Sequence, residues 1–171
     1  MVFQRKNIRL AAPRYFGLQC YFLTMCTQNR VARFGDPGLV GDLLRLLKES
    51  AEVHRFAVSA YCFMPDHLHF LTHGTEENSD LTAFANVFKQ RSGYAFQRTS
   101  GQRLWQKKYY DHILRGNEQW ERVAWYIWMN PVRKGLCGRP EEWSFSGSFT
   151  VDWRGLLPAN EWIPPWKKAG Q

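Results

Sequence analysis

The 171-residue sequence lacks several features that would assign it to a familiar class of protein. None of its four cysteines belongs to a C-x-x-C pair, so neither a thiolate zinc site nor a dithiol redox site is predicted. No apolar run approaches the roughly 20 residues of a membrane-spanning helix, and the basic start is not followed by the apolar stretch of a signal peptide. We therefore expect a cytoplasmic protein with reduced cysteines and no membrane partner.

Acidic residues are also scarce: 15 Asp and Glu stand against 23 Lys and Arg, which gives a formal net charge of +8. An excess of this size indicates a polyanionic partner, either nucleic acid or an anionic membrane surface, although a basic protein without such a partner remains an alternative. Aromatic residues make up 16% of the chain, and their rings can stack on unpaired bases. Charge and aromatic content together favour nucleic acid.

The chain shows no internal repeat and no obvious linker, and its length suits one compact domain. We expect a single domain over residues 1–150, with a basic N-terminal arm, and a tail over 151–171 that either packs over the domain or is disordered. The arm contains Arg5, Lys6, Arg9 and Arg14. It is either a solvated tail or a segment that contacts phosphates.

The pattern of apolar and capping residues predicts the order strand, helix, strand, strand, helix, strand, helix. The predicted strands cover 18–27, 56–64, 67–73 and 104–115. The predicted helices run from an Asp36 cap to near His54, over 78–98, and over 118–129 after an Asn117 cap. Two strand-helix-strand halves indicate an α+β ferredoxin-like sandwich, an antiparallel sheet with helices on one face.

The segment "MPDHLH" (64–69) contains two of the five histidines, His67 and His69. Residues i and i+2 of a strand face the same side, so both imidazoles can reach one metal ion. Exposed strand histidines are the alternative.

Tyr126 and Asn130 lie four residues apart and therefore on one face of the last predicted helix. A tyrosine hydroxyl can act as a covalent nucleophile, and an asparagine oxygen can coordinate a hard cation. Tyr126 can equally be a core residue among Trp125, Ile127 and Trp128, and Asn130 a helix terminator before proline.

Four segments resemble a known family. "YCFMPDHLHFLTH" (61–73) is similar to the histidine strand of the HUH single-tyrosine nucleases. "LWQKKYYDHILRGNEQWERVAWYIWMNPVRKGL" (104–136) resembles the second hallmark of the REP-associated tyrosine transposases, members of the IS200-like superfamily. "CYFLTMCTQNRVARF" (20–34) resembles the opening strand of that family, with its Thr-x-x-Thr-x-x-Arg ending, and "EEWSFSGS" (141–148) resembles its Trp-Ser segment.

The resemblance implies a metal-dependent endonuclease and strand transferase that acts on single-stranded DNA. It assigns His67 and His69 as metal ligands, Asn130 as a further ligand and Tyr126 as the nucleophile that forms a 5′-phosphotyrosine. It implies Mg²⁺ or Mn²⁺ as cofactor, and the imidazoles suit Mn²⁺. A domesticated relative that binds hairpin DNA or RNA without cutting it is the alternative.

Hairpin-forming, single-stranded DNA is the partner that the resemblance implies, and a monomer is weakly favoured over a homodimer, with the protein at the nucleoid when bound. Charge and position suggest DNA contacts from Arg5, Lys6, Arg14, Lys89, Arg91, Lys107 and Lys108. Three further residues are possible accessory groups: His112 as a base or a structural residue, and Asp111 and Arg115 as site residues or an ion pair.

Overall fold

A computed structural model describes residues 15–156 and 162–168 of the chain. The N-terminal arm with Arg5, Lys6 and Arg14 lies outside the described residues. The first seven strands and helices follow the order that the sequence pattern predicts. Their bounds are β1 Cys20–Cys26, α1 Pro37–Val53, β2 Phe56–Met64, β3 His67–Gly74, α2 Leu81–Ser100, β4 Tyr110–Ile113, α3 Trp120–Trp128, α4 Asn130–Arg133, β5 Ser146–Gly147 and α5 Pro165–Lys168.

The five strands form one antiparallel sheet in the order β4-β1-β3-β2-β5. The ferredoxin-like α+β sandwich is therefore confirmed. β1 and β3 occupy its centre, and their register pairs Thr24 with His69 and Cys26 with His67. This pairing places the first strand of the chain directly beside the histidine strand.

Both faces of the sheet are covered. On one face, buried residues of α1 and α2 such as Leu47 and Phe84 pack with Leu23 and Phe70 of the sheet. On the other face, α3 packs on Phe22 and Leu71, together with Trp153 and Trp162 of the tail. The prediction that the helices share one face holds for α1 and α2 and needs correction for α3. The apolar stripe of α3, which includes Val123 and Ile127, must cover the alternate residues that β1 and β3 present on the opposite side.

The start of α1 agrees with its sequence signals. Asp36 accepts a hydrogen bond from the Gly38 N–H, and Pro37 occupies the first helical position. α2 begins at Leu81, directly after the predicted capping residues, and Asp80 caps it by accepting from the Ala83 N–H.

Two predicted boundaries were wrong. The fourth strand is confined to β4, because its pairing with β1 is interrupted after Tyr110 and returns only as the isolated bridge between Thr27 and Trp105. Within the interruption, the Lys89 ammonium donates to the carbonyls of Gln106 (2.8 Å) and Lys107 (2.9 Å). Asn117 does not cap α3. Gln119 precedes the helix, while the Glu118 carboxylate folds back to accept from the Arg115 N–H at 2.9 Å.

No helix in the described ranges 15–156 and 162–168 combines the length and the apolar character that crossing a bilayer requires.

Gly74 ends β3 where the chain passes close to the segment that leads into β1. A Cβ at this position would overlap the Gly17 carbonyl oxygen and come 2.9 Å from Ser79 Cβ. We predict that Gly74→Ala lowers the free energy of unfolding by about 1–3 kcal/mol, because backbone must shift to admit the methyl group.

The matched control is Gly41→Ala in α1, where a Cβ meets nothing within 4 Å. This change is expected to raise the free energy of unfolding by about 0.5–1 kcal/mol through helix propensity. Urea denaturation measures both changes, and equal effects of the two substitutions would contradict the close approach at Gly74.

Candidate active site

His67 and His69 lie on β3 and point to the face of the sheet that α3 covers. Their Nε2 atoms are 3.1 Å apart, and their ring centroids 4.6 Å apart. His69 is only 7% exposed, so exposed strand histidines are ruled out for this residue. Two ring nitrogens at this distance can share one proton or bind one common cation.

The other ring nitrogen of each histidine is held by a neighbouring side chain. Nδ1 of His69 lies 2.8 Å from Thr24 Oγ1, and Nδ1 of His67 lies 2.5 Å from Asp66 Oδ1. A proton on each Nδ1, donated to these oxygens, leaves the Nε2 lone pairs facing each other. This is the tautomer in which histidine binds a metal.

The turn that follows β1 supports Asp66. Arg30 Nε lies 2.9 Å from Asp66 Oδ2, and Thr27 Oγ1 donates to the Asp66 carbonyl at 3.0 Å. Asn29 and Arg30 both have positive φ, 54° and 57°, which is costly for residues other than glycine. The turn therefore maintains a strained backbone that brings Arg30 to the Asp66 carboxylate.

The supporting residues Thr24, Thr27, Arg30 and Asp66 were not predicted as site residues. Thr24, Thr27 and Arg30 form the Thr-x-x-Thr-x-x-Arg motif that ends the opening strand in the resemblance. The motif was therefore visible in the sequence, but the sequence alone did not show what these residues do. The three motif residues contact different parts of the site. Thr24 pairs across the sheet with His69, whereas Thr27 and Arg30 lie beyond the end of β1 and contact Asp66.

Burial keeps both imidazoles neutral. Desolvation lowers the pKa of His67, against the opposing effect of Asp66, and lowers the pKa of His69 well below its usual value. The positive charges of Arg133 and Arg30 add to the second shift. A neutral imidazole is the form that coordinates a metal.

The histidine pair fits a divalent cation. Two neighbouring ligands at about 2.1 Å from an octahedral ion are separated by about 3.0 Å, close to the observed Nε2 separation. Among the described residues, no group of three or more His, Cys, Asp or Glu side chains is placed to hold a metal ion. Within the part of the chain that the structure describes, an amide would have to supply any further side-chain ligand, beside water or the substrate.

Asn130 begins α4 immediately after α3 and is 7% exposed. Its Nδ2 donates to the carbonyls of Tyr126 (3.0 Å) and Ile127 (3.3 Å). The amide nitrogen thus caps two carbonyls at the end of α3. As a metal ligand, Asn130 would therefore use its Oδ1 atom. That role stays a prediction.

Tyr126 lies on α3 on the same face as the histidines, and its ring is 6% exposed. Its ring and that of His69 both contact Phe22, with centroid distances of 6.1 and 5.3 Å. The Arg133 guanidinium lies 4.2 Å from the Tyr126 ring centroid, and the ring of Trp162 lies 5.1 Å away. The tail thus packs against the candidate nucleophile.

The possible accessory residues belong to the β4 edge. His112 Nε2 lies 2.9 Å from Glu118 Oε2, and Glu118 also accepts from the Trp162 indole at 3.0 Å. Asp111 accepts from the Tyr15 hydroxyl at 2.9 Å. These contacts give His112 a structural partner, and Arg115 contributes its backbone N–H to Glu118.

The described residues that were predicted to contact DNA fall into two groups. Lys89 binds two backbone carbonyls, and Arg91 lies 2.7 Å from Glu49 Oε2, so both have structural partners. Lys107 and Lys108 are exposed. Their contacts with DNA remain predictions.

A central antiparallel sheet with a histidine pair and a tyrosine helix on one face is the arrangement that the resemblance to the HUH single-tyrosine nucleases predicts. The family model described as "Transposase IS200 like" matches residues 17–130. The chain belongs to the IS200-like transposase family.

Within this family, the chain is similar to proteins of the REP-associated group. The chain is 26% identical over 159 residues to a Haemophilus influenzae protein whose name assigns it provisionally to the REP-associated tyrosine transposases, a match over 83% of this chain and 86% of that protein. It is 25% identical over 108 residues to the REP-associated tyrosine transposase of Escherichia coli K12, over 58% of this chain and 64% of that protein. The resemblance to this group is confirmed.

Solved structures show the same fold. The structure of a REP-associated tyrosine transposase bound to a REP hairpin superposes with a TM-score of 0.71 and 23% identity, over 92% of this chain and 89% of that chain. A transposase-like protein of Deinococcus radiodurans gives a TM-score of 0.50 and 17% identity, over 80% and 92%.

We predict that Asp66→Asn weakens Mn²⁺ binding by about 10–100-fold, because the amide no longer favours the proton on His67 Nδ1. Thr24→Val keeps the shape of the side chain and removes its hydroxyl. We expect this variant also to bind Mn²⁺ more weakly, because His69 Nδ1 loses its hydrogen-bond partner. Titration followed by electron paramagnetic resonance of free Mn²⁺ measures both affinities.

Asp42→Asn is the matched control, since Asp42 is an exposed carboxylate on α1, which packs on the opposite face of the sheet. An unchanged Mn²⁺ affinity in Asp66→Asn and Thr24→Val would contradict a metal site at the histidine pair.

Proposed function

We propose that this protein is a divalent-metal-dependent endonuclease and strand transferase that acts on hairpin-forming, single-stranded repeat DNA through a covalent 5′-phosphotyrosine. The observation that carries the proposal is the convergence of His67 and His69 Nε2, 3.1 Å apart, on the face where α3 holds Tyr126. Membership in the IS200-like family supports the transposase reaction, and the related structure with a REP hairpin supports the kind of DNA.

His67 and His69, with Asn130, would hold Mg²⁺ or Mn²⁺. When bound, the cation supplies Lewis-acid polarisation of a phosphate oxygen. Asp66 and Thr24 keep the two imidazoles oriented, and burial keeps them neutral, so no proton has to leave a ligand at neutral pH.

Tyr126 would attack the phosphorus atom of the scissile linkage. A bond forms between the phenol oxygen and phosphorus, the bond from phosphorus to O3′ breaks, and the leaving oxygen takes a proton as the 3′-hydroxyl. The phenol gives its own proton to water or a nearby base. Because the phosphodiester energy is kept in the phosphotyrosine, a 3′-hydroxyl can later reverse the step without ATP.

Positive charge surrounds the proposed nucleophile. The Arg133 guanidinium lies 4.2 Å and the Lys167 ammonium 5.8 Å from the Tyr126 ring centroid. Cations this close stabilise negative charge that develops on the phenol oxygen and on the phosphate. Arg133 also donates to the Tyr126 carbonyl, which ties its position to that of the nucleophile.

One observation favours a second function, a hairpin-binding protein that does not cleave. Tyr126 is 6% exposed and the tail residue Trp162 packs against its ring. A nucleophile in this position has limited access to a phosphate, whereas binding through exposed lysines needs no such access. Both functions predict DNA binding, and only the first predicts a covalent product.

We predict that Tyr126→Phe removes the covalent protein–DNA product while it leaves hairpin affinity within about threefold, because only the hydroxyl is lost. The wild-type protein is incubated with hairpin-bearing single-stranded DNA and Mn²⁺, and a denaturing gel detects the product by its shifted mobility. A fluorescence anisotropy titration gives the affinity.

Tyr110→Phe is the control for this experiment. Tyr110 is a second tyrosine beside Phe22, 6.3 Å between ring centroids, and it is 41% exposed. A product that survives Tyr126→Phe and disappears in Tyr110→Phe would move the nucleophile to β4. No product from wild-type protein that still binds the hairpin would favour the non-cleaving function.

Phosphate contacts predict a strong dependence on salt. We expect Lys108→Ala to reduce the slope of log K against log salt concentration by about 1, because one counterion fewer is released. Lys48→Ala, an exposed lysine on α1, should leave the slope unchanged. Equal slopes for the two variants would contradict a DNA contact at Lys108.

A further inference from the structure

Lys134 directly follows α4, and hydrogen bonds fix its backbone close to the candidate active site. Its N–H donates to the Asn130 carbonyl at 3.1 Å. The chain turns immediately afterwards, since Gly135 has a positive φ of 68° and the Leu136 N–H donates back to the Pro131 carbonyl at 2.9 Å. Residues four apart lie on one face of a helix, so Lys134 lies one turn beyond the predicted metal ligand Asn130.

The side chain of Lys134 is exposed, and its charge acts on the histidine pair. Burial is the main cause that lowers the pKa of His67, and the positive charges of Arg30 and Lys134 lower it further. At His69, burial is again the main cause of the lowered pKa, and the cations that add to it are Arg133 and Arg30. Of the two neighbouring basic residues, Lys134 therefore lies nearer to His67 and Arg133 nearer to His69.

Lys134 differs from the other two cations in having its charged group available. Arg30 Nε lies 2.9 Å from Asp66 Oδ2, so this guanidinium is engaged with a carboxylate. The Arg133 guanidinium donates to the Tyr126 carbonyl and lies against the Tyr126 ring. In the described ranges 15–156 and 162–168, the Lys134 ammonium enters no hydrogen bond and no ion pair. A substrate atom could therefore take it as a donor without breaking a contact there.

The positions of Arg133 and Lys134 match the two ends of an in-line displacement. In such a reaction the attacking and the leaving oxygen lie on opposite sides of phosphorus. The Arg133 guanidinium lies 4.2 Å from the ring centroid of Tyr126, on the attacking side. Lys134 follows about 12 Å further along the helix axis than Tyr126, with Asn130 between them. A phosphate held at the histidine pair would thus have Tyr126 on one side and the Lys134 ammonium on the other.

The leaving group of the proposed reaction needs a proton at this second side. When the bond from phosphorus to O3′ breaks, the oxygen would otherwise leave as an alkoxide, a much stronger base than an amine. A positioned acid that protonates such an oxygen in the transition state contributes about 10²–10⁴-fold to the rate. The two imidazoles are unsuited to this task, because they are neutral and hold their Nδ1 protons toward Asp66 and Thr24.

We propose that the Lys134 ammonium is the general acid for the leaving group. It donates its proton to O3′ as the bond from phosphorus to O3′ breaks and the bond from the Tyr126 phenol oxygen to phosphorus forms. Because Lys134 is exposed, the amine regains a proton from water. In the reverse step the neutral amine takes the proton of the attacking 3′-hydroxyl. The inference rests on the proposed phosphotyrosine reaction and adds a catalytic residue on its leaving-group side.

The test replaces the leaving oxygen by sulfur. A hairpin-bearing single-stranded DNA is made in two forms that differ only at the cleaved linkage, where O3′ is either oxygen or sulfur. A thiolate is a stable leaving group that needs no acid. Single-turnover rates of covalent product formation with Mn²⁺ are measured on denaturing gels. The variants are Lys134→Met, which removes the charge and keeps the length of the side chain, and Lys134→Arg, which keeps the charge but releases no proton.

We expect both Lys134 variants to form the covalent product about 100-fold more slowly than wild-type protein from the oxygen substrate. From the sulfur substrate their rates should lie within about threefold of the wild-type rate, because that reaction keeps the attack by Tyr126 and dispenses with the acid. Normal rates on the sulfur substrate also show that the variants fold and bind DNA.

Lys48→Met is the matched control, since Lys48 is an exposed lysine on α1, which packs on the opposite face of the sheet. Its rates on both substrates should equal those of wild-type protein.

Unchanged rates of Lys134→Met on the oxygen substrate would overturn the inference. Equal slowing of both substrates by Lys134→Arg would also overturn it, since the lysine would then act as a structural residue or a phosphate contact. In either case the wild-type protein still forms the covalent product, so the proposed function stands while the inference fails. Absence of any covalent product from wild-type protein would overturn both together.

Discussion

The register between β1 and β3 determines the geometry of the candidate site. It places Thr24 opposite His69, so that a hydroxyl reaches the imidazole at 2.8 Å. A slip of one residue would move every side chain of β1 to the other face, which would bury the hydroxyl among the aromatic residues of α2. Leu23 and Met25, which are buried against α1 and α2, and Phe22, which is buried beneath α3, stabilise this register.

The two histidines need hydrogen-bond partners beyond the site residues that the sequence predicted. A buried imidazole needs partners for both ring nitrogens, and an unpaired buried polar group is costly. Thr24 and Asp66 satisfy the two Nδ1 atoms, and Arg30 and Thr27 in turn satisfy Asp66. Only the two Nε2 atoms then remain directed at each other. The strained turn at Asn29 and Arg30 is part of the same construction, since without it the guanidinium would not reach the carboxylate.

Sequence patterns predicted what depends on local periodicity. The start of α1 at Asp36, the order of the strands and the shared face of the two histidines follow from caps and alternation. The failures involve contacts distant in sequence. β4 is short because its pairing with β1 is interrupted after Tyr110, where Lys89 of α2 binds the backbone. Asn117 is not the cap of α3, and the neighbouring Glu118 turns toward His112 and Trp162. The contact between Trp162 and Tyr126 also joins residues far apart in sequence, so local sequence patterns could not predict it. Family resemblance supplied the candidate site residues, and the structure gives a physical role to a motif that resemblance alone left unexplained.

The chemistry of the site gives a reason for histidines as the ligands in the proposed reaction. A cation held by neutral imidazoles keeps its full charge for a phosphate oxygen, whereas carboxylate ligands would cancel part of that charge. The Asp66 carboxylate lies beside Nδ1 of His67 and not beside Nε2. From there it orients the ring and raises the basicity of Nε2. Arg133 and Lys167 add positive charge on the Tyr126 side. In the proposed reaction the protein would thus place cations on both sides of an anionic linkage, while the Asp66 carboxylate is engaged with Arg30.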